Sequence, residues 1–361
     1  LTNITGTVTC SGVGVEGVVV SDGYVVTTTD AEGKYAFYSE KKNGYVFISL
    51  PSGYEIYENY KTTTGEKIFT RFWQALTNTA AKSETHNFKL KVKNNDTHYM
   101  LIGADTHIST ATSQTQFYNF FMSAIRKESA NAGTTPLYST LLGDLTCNYH
   151  WYRYNFLPLS FYGLMESNNY PIKLFPIMGN HDHDSNADDG LNSDFGSTAV
   201  YRQVFGPSYY SYNLGQIHYV VLDDTYFLNT HVAGKTYTYA TGEQDYNNYI
   251  DDYQLEWLKK DLQYVDKNTP LIIEAHIPIW QINHTTFLAR ENLTNGGANS
   301  TTLLCNILKD FKTVHIVTGH THYNYHVFPA AYPNIHENNI AAVCAVWWNT
   351  EPLSGRHNCS D

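Results

Sequence analysis

Residues 172–184 read IKLFPIMGNHDHD. A mostly apolar run of strand length passes directly into Asn180, His181, Asp182, His183 and Asp184. Side chains that prefer water therefore crowd the end of what reads as a buried strand. Such a cluster is either a solvated loop or a set of groups meeting a metal. Four other segments repeat the pattern. YMLIGADTH ends in Asp105 and His107, STLLGD in Asp144, LIIEAHIP in His276, and HIVTGHTH in His320 and His322. Taken singly, each has a bland reading: a surface Asp-x-His, a Gly-Asp turn, a hydrogen-bonded core histidine. Five such runs, each closing on a metal-type side chain, make coincidence a poor explanation. In α/β folds, sites gather outside the carboxyl ends of the strands. The five clusters are therefore expected to meet in space.

The segments between these runs set the architecture. Residues 1–92 read as all-β. ITGTVTC, GVVVSDG, YVVTTT, KYAFYS and GYVFISLP are short β-branched and aromatic runs separated by turn signals such as SDG, DAEG and KKNG. HNFKLKV places Phe88, Leu90 and Val92 on one face, and a small sandwich is expected. This part carries no convergent ligand set, so a docking or scaffold role is expected of it, and a chain starting near Asn94 is expected to keep turnover on small substrates if it stays folded. KVKNND supplies a polar linker, placed at 93–97. From residue 98 to 351 strands alternate with helix-like stretches, among them QTQFYNFFMSAIRKESANAG, a Trp/Tyr/Leu-rich stretch near 151–166, DDYQLEWLKKDLQYVD and TTLLCNILKDF. That alternation predicts an α/β domain with helices outside a sheet. Residues 352–361 read as loop, the possible start of a further region.

Bulk properties narrow the class. A chain of 361 residues with 42% hydrophobic content supports a large core and more than one domain. No stretch approaches the ~20 apolar residues of a membrane span. The net charge of −11 argues against a nucleic-acid groove, but leaves phosphate esters open, because bound cations reverse the local sign. Charged residues are 16% while tyrosines number 30, a surface chemistry expected of an extracytoplasmic protein. The missing N-terminal Met and basic-then-apolar leader are read as a signal already removed. Cys10, Cys147, Cys305, Cys344 and Cys359 show no CxxC, so neither a disulfide scaffold nor a thiolate zinc site is expected. Asn-x-Ser/Thr triplets fall at Asn3, Asn95, Asn283, Asn292, Asn299 and Asn358.

The ordered set Asp-x-His, Gly-Asp, Gly-Asn-His-Asp, His, Gly-His-x-His resembles the calcineurin-like metallophosphoesterase superfamily over residues 97 to 351. TTTDAEGKYAF resembles a hairpin of transthyretin-like, carboxypeptidase-regulatory-type modules, and the combination is similar to bacterial multidomain phosphoesterases. The resemblance implies two facing mixed sheets flanked by helices, a four-layer α/β/β/α sandwich preceded by the small all-β sandwich. It also implies two metal ions of the Zn, Mn or Fe type. Asp105, His107 and His322 would hold one ion, and Asn180, His276 and His320 the other, with Asp144 bridging. The implied activity is hydrolysis of a phosphomonoester or phosphodiester by a hydroxide between the metals, with His181 approaching the leaving-group oxygen. Imidazole and carboxylate suit these ions. The nearby Gly103, Gly143, Gly179 and Gly319 are expected to let the chain turn.

One position departs from the pattern. Three residues after the bridging aspartate, purple acid phosphatases place Tyr and protein serine/threonine phosphatases Asp; here it is Cys147, so the residue that orients His181 is open. Asp182 is expected either to orient a histidine or to close the turn, and His183 and Asp184 to face solvent. Asn148, Tyr149, His150, Trp151, Asp223, Asp224, Trp280, His284 and Tyr323 flank the motifs, with packing or surface roles expected. Two other readings compete. A catalytically weak extracellular protein could keep the metal fold to bind glycan or protein, though the complete ligand set speaks against it. A lactamase-like or amidohydrolase enzyme would need His-x-His-x-Asp-His or an early His-x-His on a barrel strand, and neither occurs.

Overall fold

The computed structural model describes residues 2–57, 61–62, 65–66, 69–148, 151, 154–187, 193–228, 245–282 and 300–344. Tyr149, His150, His284, Cys359, the triplets at Asn283, Asn292, Asn299 and Asn358, and the tail 352–361 lie outside them.

The N-terminal part is all-β among the described residues. Ile4–Cys10 is the hub of one sheet, pairing in parallel with Glu84–Thr85 and Phe88–Val92 and antiparallel with Lys34–Phe37. A second sheet orders Trp73–Ala75, Tyr45–Ile48, Val19–Ser21 and Val26–Thr28. Alternation in Phe88–Val92 works as read for Phe88 and Leu90, which are buried. Val92 instead is 74% exposed, because the strand leaves the core there.

The α/β part has the expected two sheets. Tyr99–Gly103, Leu137–Leu142 and Lys173–Ile177 form a parallel three-stranded sheet. Tyr210–Leu214, Ile217–Val221, Leu271–Glu274, Val314–Thr318, Ile335–Asn339 and Tyr325–Val327 form a mixed six-stranded sheet in that order. Leu137–Leu142 is buried almost throughout, as a parallel strand covered on both faces must be. The sheets face one another through stacked rings: Phe175 lies 3.9 Å from Tyr212, and Tyr212 lies 4.7 Å from Tyr219. Helical segments Ala111–Gln116, Ser123–Ala132 and Pro158–Ser167 run on the side of the smaller sheet, whose Leu141 and Leu174 join Met122, Ile125, Phe161 and Met165 in one cluster. Asp252–Asp261 and Ser300–Leu308 cover the larger sheet with Trp257, Leu258, Leu304 and Leu308. Asp251 caps the first of these, its carboxylate accepting from Gln254 N, and Lys259 and Lys260 sit in its last turn.

The β-module and the α/β part share one core across their boundary. Phe72 lies 4.5 Å from Tyr210, Phe69 4.8 Å from Tyr162, and Phe47 6.3 Å from Trp257. Leu50 bridges to Tyr212 and Phe69 to Leu174. Tyr45 Oη donates to Arg202 O, and Arg202 Nη2 donates to Asn43 O. The expected linker is also held. Asn95 is fully buried, its Oδ1 accepting from Gly53 N and Gly215 N at 3.0 Å each. Asn95 and the buried Asn3, which donates to Ser39 O and Ala80 O, are thus closed to glycosylation in the folded chain. Removing residues 1–93 uncovers several aromatic side chains at roughly 1.5–3 kcal/mol each, which matches or exceeds the stability of a typical domain. The truncated chain is expected to aggregate or to lose cooperative unfolding, which a thermal melt with light scattering checks. A soluble, cooperatively melting, active truncation would contradict this.

Candidate metal centre

The parallel pairing puts the ends of the motif strands side by side. Gly103 is in register with Leu141, and Leu141 with Pro176, so the segments carrying Asp105, Asp144 and Asn180 emerge at one edge. Leu271–Glu274 and Val314–Thr318 pair in parallel and deliver His276 and His320 to it. The loops then lock together: Asp105 N donates to Gly143 O, His107 N to Asp144 O, and Gly319 N to His276 O.

The seven candidate residues bring their side chains together at this edge. Asp105, His107 and His322 offer ligand atoms within 4.8 Å of one another, and so do Asp144, His276 and His320. In the first group His322 Nε2 lies 3.3 Å from Asp105 Oδ1 and 3.3 Å from His107 Nε2. In the second, His276 Nε2 lies 2.9 Å from Asn180 Oδ1 and 3.2 Å from His320 Nδ1, and His320 Nδ1 lies 3.0 Å from Asn180 Oδ1. Asp144 Oδ2 faces both groups, 3.2 Å from His276 Nε2 and 3.6 Å from His107 Nε2. His181 also reaches this edge, sharing a third cluster with His107 and Asp144.

The donor chemistry fits cations. His276 Nδ1 lies 2.7 Å from Leu142 O, so Nδ1 carries a proton and Nε2 is the nitrogen turned to the cluster. Asp105 Oδ1 is buried with no aligned donor, while Oδ2 accepts from His320 N. Burial alone would raise both carboxyls. The imidazoles of His322 and His276 around Asp105, and of His276 and His181 around Asp144, outweigh it and hold both below the ordinary range. Among the described residues, no lysine or arginine pairs with either carboxylate. Two buried carboxylates whose neighbours among the described residues are imidazoles, with no lysine or arginine beside them, make a site where metal cations can take the place of protons on the rings.

Strain marks the same residues. Asp105, His107, Asp144, His320 and His322 have φ of 55°, 42°, 50°, 67° and 61°. This left-handed backbone costs roughly 1–3 kcal/mol at each non-glycine residue. The glycine expectation is corrected here: of the four flanking glycines only Gly143 has a positive φ, 85°, and the ligands themselves take the sharp turns. Gly179 serves proximity instead, since a Cβ there would lie 2.3 Å from Asp144 N.

Buried carboxylates outside the ligand set hold the loops. Asp182 closes the turn, as one of its two readings expected: it accepts from Gly179 N, Leu145 N, Thr146 N and Thr146 Oγ1 at 3.0–3.1 Å. Burial, then the neighbouring Asp144, lifts its pKa to about 7. Asp224 accepts from Ile277 N beside His276, and Glu337 from Ile279 N, Trp280 N and Thr318 Oγ1. Asp182→Ala strands several buried N–H groups at about 1–3 kcal/mol each. A loss of roughly 3–5 kcal/mol and weakened metal retention are expected, read by denaturant titration and metal analysis. An unchanged midpoint would contradict the assignment.

His183 is not solvent-facing. It is fully buried, stacked on Phe227 with Nδ1 2.8 Å from Ser197 Oγ, and burial lowers its pKa to about 3. Its place depends on the hairpin Thr225–Leu228/Asp245–Asn248, whose Tyr246 stands 6.1 Å from His320, a tertiary contact with no local signal. Trp151 and Trp280 are buried, whereas Tyr323 is 41% exposed. Asn148, expected to pack, is 1% exposed with Oδ1 2.8 Å from His181 Nδ1. Cys147 Sγ is farther from that nitrogen, at 3.8 Å. Cys10 and Cys305 are free thiols.

Comparison with known proteins follows this geometry. Curated protein sequences yield no match. A solved structure of a dimetal phosphatase from Danio rerio is similar with 14% identity and a TM-score of 0.45, covering 68% of this chain and 87% of that one. The model for the N-terminal region of calcineurin-like phosphoesterases matches residues 2–93. The model for the calcineurin-like phosphoesterase domain itself matches residues 95–324. Covering more than half of the sequence, that second match shows that the chain belongs to the calcineurin-like phosphoesterases, metal-dependent hydrolases of phosphate esters.

Proposed function

We propose that the chain hydrolyses a small-molecule phosphomonoester or phosphodiester at this centre, with Asp105, His107 and His322 holding one cation, Asn180, His276 and His320 a second, and Asp144 between them. The observation that carries the reading is the position of Asp144 Oδ2 against His276 Nε2 and His107 Nε2 at once. When bound, a pair of cations polarises the phosphoryl oxygens and makes water a nucleophile near neutral pH. The protein's part is to fix the ligands in strained, locked loops before substrate arrives, so that little reorganisation is left for the reaction. Asn180 contributes a neutral oxygen, so the seven side chains carry only two formal negative charges and the loaded centre stays attractive to a phosphate anion. His181 lies outside the ligand set, its backbone N bonded to Asp144 Oδ1 at 2.8 Å, and in this reading its ring delivers a proton to the leaving-group oxygen.

A panel of phosphomonoesters and phosphodiesters, assayed with Mn, Zn, Fe or Co added to chelator-stripped protein, tests the reading. Metal-dependent release of alcohol or phosphate from at least one ester class is expected. No turnover with any metal, in a folded and metal-loaded chain, would overturn it.

A further inference from the structure

We propose that Asn148 is the residue that positions His181, holding its ring so that Nδ1 faces the amide oxygen and Nε2 is the nitrogen offered to substrate; this rests on the phosphoesterase reading for its catalytic consequence. Two neighbours compete for His181 Nδ1. Cys147 Sγ is 3.8 Å away and a thiol is a weak partner, whereas Asn148 Oδ1 is at 2.8 Å, full hydrogen-bond distance. An amide oxygen carries no hydrogen, so the proton of this bond belongs to Nδ1. With Nδ1 turned to Asn148, Nε2 is the ring's other nitrogen, and in the protonated ring it carries the second proton.

The amide is not there as filler. Asn148 is 1% exposed and its Nδ2 is buried without a partner among the described residues. A residue kept for packing alone would avoid that desolvation cost, and an aliphatic side chain of similar volume would do so. The same short loop also grips His181 twice, through Asp144 Oδ1 to the backbone N and through Asn148 Oδ1 to the ring, both at 2.8 Å. Asp182 in turn fixes that loop at Leu145 and Thr146. Ring and bridging carboxylate are therefore held at a set spacing by five consecutive residues, 144–148.

The test compares Asn148→Leu, Asn148→Asp, His181→Ala and the Leu/Ala double variant in zinc-loaded protein. Asn148→Leu is expected to lose about 10–100-fold on an alkyl phosphate ester, little on a nitrophenyl ester, and no metal. Asn148→Asp, which keeps the acceptor, should stay within a few fold of the parent. The double variant should be no slower than His181→Ala, because Asn148 acts through the ring. Nitrogen-15 spectra of labelled histidines, with the His181 signal identified by its loss in His181→Ala, should show a protonated Nδ1 in the parent and mixed tautomers in Asn148→Leu. A bare Nδ1 in the parent, equal losses on both esters, or losses that multiply in the double variant would overturn the proposal. The spectra read the contact without turnover. A chain that hydrolyses no ester would sink the phosphoesterase reading, while the Nδ1 signal would still decide the role of Asn148.

Discussion

Asp144→Asn is expected to lower kcat/KM by on the order of 10³–10⁵-fold, the several kcal/mol of charge stabilisation that a cation pair supplies. The substitution conserves volume, and an amide oxygen can still accept from His181 N as Oδ1 now does at 2.8 Å. It removes the charge and replaces one of the two carboxylate oxygens of the residue that faces both ligand groups, 3.2 Å from His276 Nε2 and 3.6 Å from His107 Nε2. Bound metal should fall from two ions per chain to one or fewer, with the melting transition still cooperative. Kinetics and metal analysis on one preparation check this. Two ions retained with activity within tenfold of the parent would mean that Asp144 does not bridge.

His181→Ala should keep both ions and lose about 10²–10⁴-fold on esters with poor leaving groups, the usual worth of a positioned general acid. Expulsion of an alkoxide needs a proton; expulsion of a nitrophenolate does not, so the loss should shrink on nitrophenyl esters. Equal losses on both would mean the ring only steadies charge on the phosphoryl group. A variant that sheds an ion would make His181 a ligand, a live alternative because it shares a cluster with His107 and Asp144.

The convergence of the candidate residues was legible in the sequence because it rests on a local regularity, an apolar run closing on a metal-type side chain, repeated five times, while the division of the seven into ligand groups came from the family resemblance. Strand periodicity then predicted the edge where the runs meet, and the parallel ladders place Gly103, Leu141 and Pro176 in line there. What could not be read depends on contacts between distant segments. His183 looked solvent-facing because its neighbours are polar, yet Phe227 and Ser197 bury it. In the stretch near 151–166 expected to be helical, Trp151 and Tyr154 are helical, and a further helix runs over Pro158–Ser167, where proline at the first turn suits a helix start. Nor does composition show that the strain falls on Asp105, His107, Asp144, His320 and His322 and not on the glycines beside them. The fusion of the β-module was hidden for the same reason: nothing local marks the partners of Phe47, Phe69 and Phe72, and each packs against a ring of the α/β part.

The decisive measurement is a metal titration of chelator-stripped protein, read for bound ions and for ester hydrolysis in the same samples. Hydrolysis should be absent in stripped protein, stay low through the first equivalent, and rise as the second ion per chain is taken up at Asp144. Full turnover in stripped protein, or saturation at less than one ion per chain, would contradict a dinuclear centre built from these seven residues.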